Sequence, residues 1–290
     1  MNNNRRRSNF PNRGLVFLIL AFLVISGIIG TVIGFTNDKP SPDVSPSPNT
    51  DPVEQTPPPD TTPPIDDPPD EPQGGSIYTD DRVPNYSAQN PVWEKLTFAW
   101  ERQDGRGTME IDVPIDVEMY AHYRSLGRYY GIDNYCNYIN DSNNSVIIAE
   151  IVQVIKNIAN TYSYSDAAIV REAAKFVQDV IEYQYDSDTT GEDEYPRYPI
   201  ETLYERQGDC EDTSILMAAL LKELGYEVGF LHLPGHLAVA LRTSDDYRGG
   251  AYYEFNGHRY LYIESTGSGW NIGDIPDDVM GQRATFYAIP

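Results

Sequence analysis

Hydrophobic residues are distributed along this chain in three different patterns. Residues 15–35, LVFLILAFLVISGIIGTVIGF, are apolar almost throughout and carry no charge. Residues 36–75 contain few apolar side chains, whereas residues 76–290 mix apolar and polar positions with the periods of helices and strands. Only the third segment therefore has the pattern of a folded body.

The apolar run 15–35 is long enough to cross a membrane. As a helix it would extend about 31 Å, which is one hydrocarbon thickness. A cleaved signal peptide is the alternative, but its apolar core is usually shorter, and no small-residue cleavage motif follows Phe35. The arginines in residues 1–14 orient this segment by the positive-inside rule. We expect a cytoplasmic N-terminus, a single transmembrane helix in the cell membrane and an extracellular folded domain.

Proline and acidic residues dominate segment 36–75. Thirteen of the 22 prolines of the chain fall here, and a segment of this kind cannot build a core. Proline favours extended conformations and like charges repel each other, so the segment is predicted to be a disordered but semi-rigid linker.

Residues 76–164 are predicted to contain a β-hairpin and helices. The strand-like runs LTFAWE and TMEIDV, within residues 94–113, flank the glycine-containing turn QDGRG. A short helix is predicted over 116–126. Residues 146–159 are rich in isoleucine and valine, but these recur with helical spacing, so we expect a helix there too.

Residues 165–290 are predicted to form helices followed by strands. Ser165 is a suitable N-cap for one amphipathic helix. After an irregular acidic loop, 186–200, the segment DTSILMAALLKEL is apolar almost all round and should be a buried helix that ends at Gly225. Four strand-like runs follow, namely EVGFLHL, HLAVAL, AYYEF and RYLYIES, with Asn256-Gly257 as a hairpin turn between the last two.

The chain is strongly acidic, with a formal net charge of −23. A polyanion repels nucleic acid, so a nucleic-acid binder that depends on its overall field is excluded. The same charge favours cationic or neutral substrates over anionic polymers.

Candidate chemistry begins in RQGDCEDTS, at the start of the predicted buried helix. Cys210 would lie in the first helical turn, where unpaired amides favour a thiolate and could receive an oxyanion. Asp209, Glu211 and Asp212 oppose a thiolate by their charges, although acids in a first turn also stabilise the helix. We expect this helix-stabilising role for Glu211 and Asp212.

Cys210 has two alternatives to being a nucleophile: it could form a disulfide with Cys136, or it could be an inert buried thiol. The chain has two cysteines, and an even number outside the cell is compatible with a disulfide. No other feature of the sequence brings the two together, so we favour a free, reactive thiol.

A thiol nucleophile needs a base, and His236 is the best candidate. It follows the turn Pro234-Gly235 and opens a predicted strand, whereas His122, His232 and His258 are expected to be structural or solvated. Near the end of a later strand, Glu264 is a carboxylate that could hold the histidine in the required tautomer.

The segments GDCEDTSILMAALLKELGY, PGHLAVAL and YLYIEST together resemble the transglutaminase-like superfamily, which is related to papain-type thiol enzymes. The resemblance covers about residues 165–268, and the preceding FVQDVIEYQYD is similar to membrane-anchored prokaryotic members. It implies an α+β fold in which the cysteine helix packs on an antiparallel sheet, and a catalytic triad of Cys210, His236 and Glu264. Most of the superfamily has aspartate in a W-x-x-x-D-P-T pattern where this chain has Glu264, which is one methylene longer.

A metal site is the remaining chemical possibility. Asp186, Asp188 and Gly191 match the beginning of a calcium loop, but Arg197 stands where the closing bidentate glutamate should be. The segment therefore does not match a complete EF-hand loop. It is either a solvated acidic loop or, as the alternative, a looser calcium site at Asp186 and Asp188. No cofactor is otherwise expected.

The sequence thus predicts a membrane-tethered, extracellular thiol hydrolase or acyl-transferase, a peptidase or amidase that acts on protein or peptide substrates. Residues 165–290 would be the catalytic core, and residues 76–164 its N-terminal hairpin and helices. The alternatives are a protein-crosslinking transglutaminase and a non-catalytic module that keeps the fold for binding or scaffolding.

Overall fold

The computed structural model describes residues 91–244 and 249–290, together with the backbone of residues 65–66. The transmembrane helix predicted at 15–35, most of the linker 36–75 and residues 76–90 lie outside the described part. Among the described residues, no helix combines the length and the hydrophobicity needed to cross a membrane.

The predicted hairpin is present and longer than expected. Strand β2 (Trp93–Glu101) pairs antiparallel with β3 (Thr108–Asp116). Alternate residues of both strands are buried, which places one face of the hairpin on the rest of the protein. The carboxylate of Asp116 then accepts a hydrogen bond from the backbone of Glu118 and begins helix α1 (Val117–Arg124).

The long helices agree with the hydrophobic periodicity. After a 3₁₀ turn (Ile132–Asn134) and the short helix α2 (Cys136–Ile139) come α3 (Asn144–Tyr162) and α4 (Asp166–Val180). The β-branched stretch is thus a helix, as its spacing predicts, and α4 begins directly after Ser165.

The loop predicted at 186–200 is more ordered than expected. Strand β4 (Glu182–Tyr183) pairs in parallel with β5 (Gln207–Gly208), and the chain between them contains helices α5 (Asp186–Thr189) and α6 (Pro199–Glu205). Both helices are too short to produce a hydrophobic period. The connection is held instead by buried ion pairs, which sequence spacing does not reveal.

The C-terminal part forms a mixed sheet covered by the apolar helix. Helix α7 (Cys210–Glu223) precedes β6 (Val228–Leu233), β7 (His236–Arg242), β8 (Tyr252–Phe255) and β9 (His258–Ile263), as predicted. A further strand, β10 (Ala284–Ala288), was not predicted. The sheet order is β1-β10-β6-β7-β9-β8, with all pairs antiparallel except that of the two-residue β1 (Ile65–Asp66) with β10.

The larger of two clusters of buried apolar side chains in the described part of the chain extends from the hairpin through α3, α4 and α7 to the sheet. Helix α7 lies in its centre and contacts α3, α4 and β7. The start of α7 is consequently held between the helices and the strands that carry the histidine and the glutamate.

The hairpin is attached to α4 by a buried polar contact. The indole N–H of Trp100 donates to Oε1 of Glu172 at 2.7 Å, and the backbone N–H of Gln103 donates to Oε2 at 3.0 Å. Glu172 is fully buried, and burial raises the pKa of its carboxyl group. The two N–H groups therefore satisfy a group that would be costly to leave unpaired.

Trp100→Phe should lower the free energy of unfolding by about 1–3 kcal/mol, because a buried carboxyl group loses a donor while the aromatic packing is largely kept. Urea unfolding of the full chain in mild detergent, followed by circular dichroism, measures this change. Trp93→Phe is the matched control, since Trp93 is on the same strand and 57% exposed. Equal unfolding midpoints for the two variants would contradict the assigned role of the indole N–H.

Candidate active site

Cys210 is the first residue of α7, and the local sequence explains why the helix begins there. Asp209 is the N-cap, and its Oδ1 accepts from the backbone N–H groups of Glu211 at 3.2 Å and Asp212 at 3.5 Å. The Asp212 carboxylate in turn accepts from the backbone N–H of Asp209 at 3.3 Å, which completes a capping box. Gly208 is required by packing, because a Cβ there would lie 2.6 Å from the Asp212 side chain.

Arg197 stabilises the start of α7 by contacts with buried carboxylates. Its side chain is fully buried, and Nη1 contacts Asp212 Oδ2 at 2.5 Å and Asp186 Oδ1 at 2.6 Å. Its Nε contacts Glu205 at 3.0 Å, and its backbone N–H donates to Asp212 Oδ1 at 2.7 Å. The first turn of α7 is thus fixed through Asp212 to a buried cation.

The calcium candidates have different positions in the structure. Asp186 is buried and accepts from Arg197 and from the backbone N–H of Tyr195, whereas Asp188 is exposed in the short helix α5. Oxygens of Asp186, Asp209 and Asp212 lie within 4.8 Å of one another, a spacing compatible with a cation. The guanidinium of Arg197 already lies against Asp186 and Asp212 and supplies a positive charge there, and this group shares only Asp186 with the looser calcium site that the sequence left as an alternative.

Both cysteines are free thiols, so the disulfide alternative does not apply to this structure. Cys210 is buried, with 7% of its surface exposed. Its thiol donates to Glu211 Oε2 at 2.9 Å. Burial raises the pKa of the Cys210 thiol, and the charge and hydrogen bond of Glu211 raise it further, against a hydrogen bond from the backbone of Leu237 that lowers it.

The role expected for Glu211 from sequence was therefore incomplete. An acid in the first turn stabilises a helix, but the Glu211 carboxylate is directed at the sulfur and keeps the thiol protonated. Asp212 agrees with the expectation, because it belongs to the capping box and to the Arg197 ion pair.

His236 and Glu264 are in direct contact. His236 opens β7 and Glu264 directly follows β9, and Nε2 of the imidazole lies 2.9 Å from Oε2 of the carboxylate. Glu264 is fully buried, while the His236 side chain is 16% exposed. The additional methylene of glutamate therefore does not prevent the contact that the resemblance implied for an aspartate.

Two neighbours fix the orientation of Glu264. The hydroxyl of Tyr262 donates to Oε2 at 2.6 Å and also lies 3.2 Å from His236 Nε2, and Thr266 donates to Oε1 through its backbone at 3.0 Å and its hydroxyl at 2.6 Å. Tyr262 is not among the site residues predicted from the sequence. The alternation of a strand, which places residues two apart on one face, is the signal that would have found it.

The protonation of the pair follows from these contacts. Burial opposes the charge on Glu264, but its hydrogen bond and charge interaction with His236 prevail and lower the pKa of the carboxyl group. Burial likewise opposes a charged imidazole, and the contact with Glu264 prevails and raises the pKa of His236. The pair is thus a carboxylate with an imidazole of increased basicity.

Hydrogen bonds hold the start of α7, which carries Cys210, next to the segments that carry His236 and Glu264. The backbone N–H that contacts the sulfur belongs to Leu237, the residue after His236. Ser214, in the second turn of α7, donates to the carbonyl of Leu237 at 3.1 Å, and Ser265, the residue after Glu264, lies 3.0 Å from the hydroxyls of both Thr213 and Ser214. The starts of α7 and β7 and the end of β9 therefore meet.

The first turn of α7 offers fewer free amide groups to an oxyanion than the sequence predicts. Asp209 uses the N–H groups of Glu211 and Asp212, so the N–H of Cys210 itself is the one first-turn donor without a partner in the described part of the chain.

The remaining histidines have other surroundings, and one cavity of the protein lies away from the three predicted site residues. His232 and His258 are exposed, and His122 packs edge-on against Tyr123. A cavity of about 680 Å³ is bordered by α4, the end of β7 and Ile272, and none of Cys210, His236 and Glu264 lines it.

Parts of this chain are similar to known proteins. Residues 152–270 match the sequence model of the transglutaminase-like superfamily, whereas a search among curated proteins gives no match. Of the solved structures that match, two have TM-scores of 0.30 or less. "Crystal structure of a TGase" has a TM-score of 0.30 and 9% identity over 61% of this chain and 48% of the other. Legionella pneumophila LapG has a TM-score of 0.25 and 16% identity over 47% of this chain and 87% of the other.

This chain therefore spans about half the length of the first of these structures, and the family assignment depends on the sequence match alone. The matched segment contains the cysteine, the histidine and the glutamate. Over residues 152–270, this mixed α/β protein is thus similar in sequence to the transglutaminase-like superfamily.

Proposed function

We propose that this protein is a thiol hydrolase or acyl-transferase, in which Cys210 is the nucleophile, His236 the general base and Glu264 the residue that orients the base. The observation that carries the proposal is the 2.9 Å contact between His236 Nε2 and Glu264 Oε2, next to Ser265, whose hydroxyl lies 3.0 Å from two hydroxyls of the helix that Cys210 begins. Nucleophile, base and orienting carboxylate are the parts that covalent acyl transfer requires.

The contacts of His236 determine which of its nitrogens can act. Nε2 faces Glu264 and Tyr262, whereas Nδ1 has no hydrogen-bond partner among the described residues. When Nε2–H donates to the carboxylate, Nδ1 carries the lone pair that can accept a proton from the thiol. Glu264 thereby selects the tautomer needed in a general base.

The raised pKa of Cys210 means that the resting thiol is protonated at neutral pH. In the proposed reaction, the proton moves from sulfur to His236 as sulfur attacks the carbonyl carbon. The tetrahedral intermediate then expels the amine, which takes this proton, and an acyl thioester remains on Cys210. The N–H of Cys210 is positioned to donate to the oxyanion.

The acceptor of the acyl group decides between two outcomes. Water gives a peptidase or amidase, and a lysine amine gives protein cross-linking. We favour hydrolysis, because water is abundant at a site outside the cell. The extracellular location and the membrane tether through residues 15–35 are part of the proposal and rest on the sequence pattern, as does a protein or peptide substrate.

A non-catalytic binding module is the second candidate, and one observation favours it. The Cys210 thiol is buried and hydrogen-bonded to a carboxylate, which are the conditions that make a cysteine unreactive. Reactivity that depends on His236 distinguishes the two candidates.

We expect iodoacetamide at neutral pH to alkylate Cys210 faster than Cys136, whose thiol pKa is also raised by burial. His236→Ala should slow the labelling of Cys210 by about tenfold or more, because the thiol loses its base. Peptide mapping of the full chain by mass spectrometry measures both rates, and His232→Ala, at an exposed position on the adjacent strand, is the control. Equally slow labelling of both cysteines would favour the non-catalytic module.

A second prediction concerns pH and Glu264. Only neutral His236 can act as base, so acylation of Cys210 by p-nitrophenyl acetate should be fast at high pH and should decrease as the pH falls through the raised pKa of His236. Glu264→Gln should slow acylation by about 10²–10⁴-fold and move the remaining acid limb to lower pH, because the charge that raises the pKa of His236 is gone.

The p-nitrophenol burst measured between pH 5 and 9 tests both effects. Glu254→Gln is the matched control, since Glu254 is an exposed glutamate of the same sheet. A pH profile in Glu264→Gln identical to that of the unchanged chain would remove Glu264 from the mechanism.

A further inference from the structure

Glu211 contacts the thiol but has no part in the triad. Its Oε2 lies 2.9 Å from the Cys210 sulfur, a contact that makes the nucleophile less reactive. Within the described residues it forms no ion pair, and Arg197, the buried guanidinium beneath α7, is already shared by Asp186, Asp212 and Glu205. The carboxylate is therefore an uncompensated charge in contact with the proposed nucleophile.

Two exposed tyrosines lie beside the same helix start. Tyr183 in β4 is paired with Gly208, two residues before Cys210, and its ring packs edge-on against Tyr185 with the centroids 5.4 Å apart. The tyrosines are 39% and 62% exposed. Burial raises the pKa of Tyr183, and the charges of a Cys210 thiolate, Asp209 and Glu211 raise it further, which is consistent with a position next to the thiol.

An aromatic wall and a carboxylate without a counter-ion together form the chemical surroundings that bind a cation. Ammonium and guanidinium groups are attracted to aromatic faces and to carboxylates, and these two contributions add when the cation is partly desolvated. A neutral or anionic group would obtain neither contribution, and the hydrogen bond between the Cys210 thiol and Glu211 would remain.

We propose that Glu211, with Tyr183 and Tyr185 beside it, is a specificity-determining residue that selects acyl substrates with a positively charged group next to the reacting carbonyl. The inference deepens the proposed function and rests on it. A bound cation would pair with Glu211, so that the Sγ–H···Oε2 hydrogen bond breaks and the thiol proton becomes available to Nδ1 of His236. Substrate binding and activation of the nucleophile are thereby the same event.

Charged methanethiosulfonates test the local field without requiring turnover. The full chain in mild detergent, with Cys136→Ser and a chelator present, is treated with the ethylammonium reagent, which is cationic, or the ethylsulfonate reagent, which is anionic. We expect Cys210 to react faster with the cationic reagent. In Glu211→Gln, the ratio of the two rates should fall by about tenfold, because one unit charge next to the sulfur has been removed.

Two further variants make this result specific. Glu223→Gln removes a charge at the exposed, opposite end of α7 and should leave the ratio unchanged. Tyr185→Leu should lower the rate with the cationic reagent and leave the rate with the anionic reagent unchanged. With neutral iodoacetamide, Glu211→Gln should react faster than the unchanged chain, since the carboxylate that keeps the thiol protonated is gone.

Kinetics with ester substrates test the role of Glu211 separately from the proposed enzymatic function. The p-nitrophenyl esters of Nα-blocked lysine, norleucine and glutamate should acylate Cys210 in this order, and Glu211→Gln should reduce the preference of lysine over norleucine in kcat/KM by about tenfold. Failure of all three esters, with the reagent preference intact, would overturn the proposed function. Acylation of all three at one rate, or a reagent ratio that is the same in Glu211→Gln, would overturn the assignment of Glu211.

Discussion

The buried charge of Arg197 is the constraint on which the candidate site depends. Asp212 is fully buried at the start of α7, and a carboxylate there would be unfavourable without the guanidinium that contacts it at 2.5 Å. The same arginine holds Asp186 and Glu205, so it joins α5, α6 and α7. The connection between β4 and β5 is ordered for this reason, and Cys210 is held in one position relative to β7.

Opposing electrostatic effects act on the Cys210 sulfur, and their relative magnitudes decide whether it rests as a thiol or as a thiolate. A helix N-terminus contributes roughly half a positive charge, and here Asp209 already uses two of its amides. Glu211 contributes a full negative charge in direct contact with the sulfur, and burial disfavours any thiolate. The resting nucleophile is consequently a thiol, and its reactivity has to come from His236 at the moment of attack rather than from a preformed ion pair.

Sequence patterns predicted most of the long elements, because burial of one face imposes a period on the residues. The hairpin, α3, α4, α7 and four strands of the sheet follow from such periods. Helices α5 and α6 span four and seven residues, which is too short for a helical period to be distinguished from chance. Strand β10 has five residues and no hairpin turn beside it, whereas the similarly short β8 is marked by Asn256-Gly257. The order of α5, α6 and β10 comes from tertiary contacts such as those of Arg197, whose partners are distant in sequence or on other elements.

In the candidate site, too, some features are visible in the sequence and others depend on tertiary contacts. The order of a helix-start cysteine, a strand-opening histidine and a strand-closing acid is visible in the sequence, and the structure brings these segments together. The direction of the Glu211 side chain is not visible, because the rotamer of a first-turn acid depends on what packs around it. Sequence alone therefore assigned Glu211 to helix stabilisation, whereas its contact with the thiol follows only from the packed structure.

Glu264 shows how a longer acid can fill a role usually taken by aspartate. Oε2 is shared by His236 and Tyr262, while Oε1 is held twice by Thr266, so neither oxygen can exchange partners without losing a hydrogen bond. A flexible side chain is thus restricted to one conformation by four donors. Because the carboxylate is fixed, Nε2 of the imidazole is committed to it, and Nδ1 is the nitrogen that remains to accept a proton from a thiol. The additional methylene therefore changes the reach of the acid but not the tautomer that it imposes on the base.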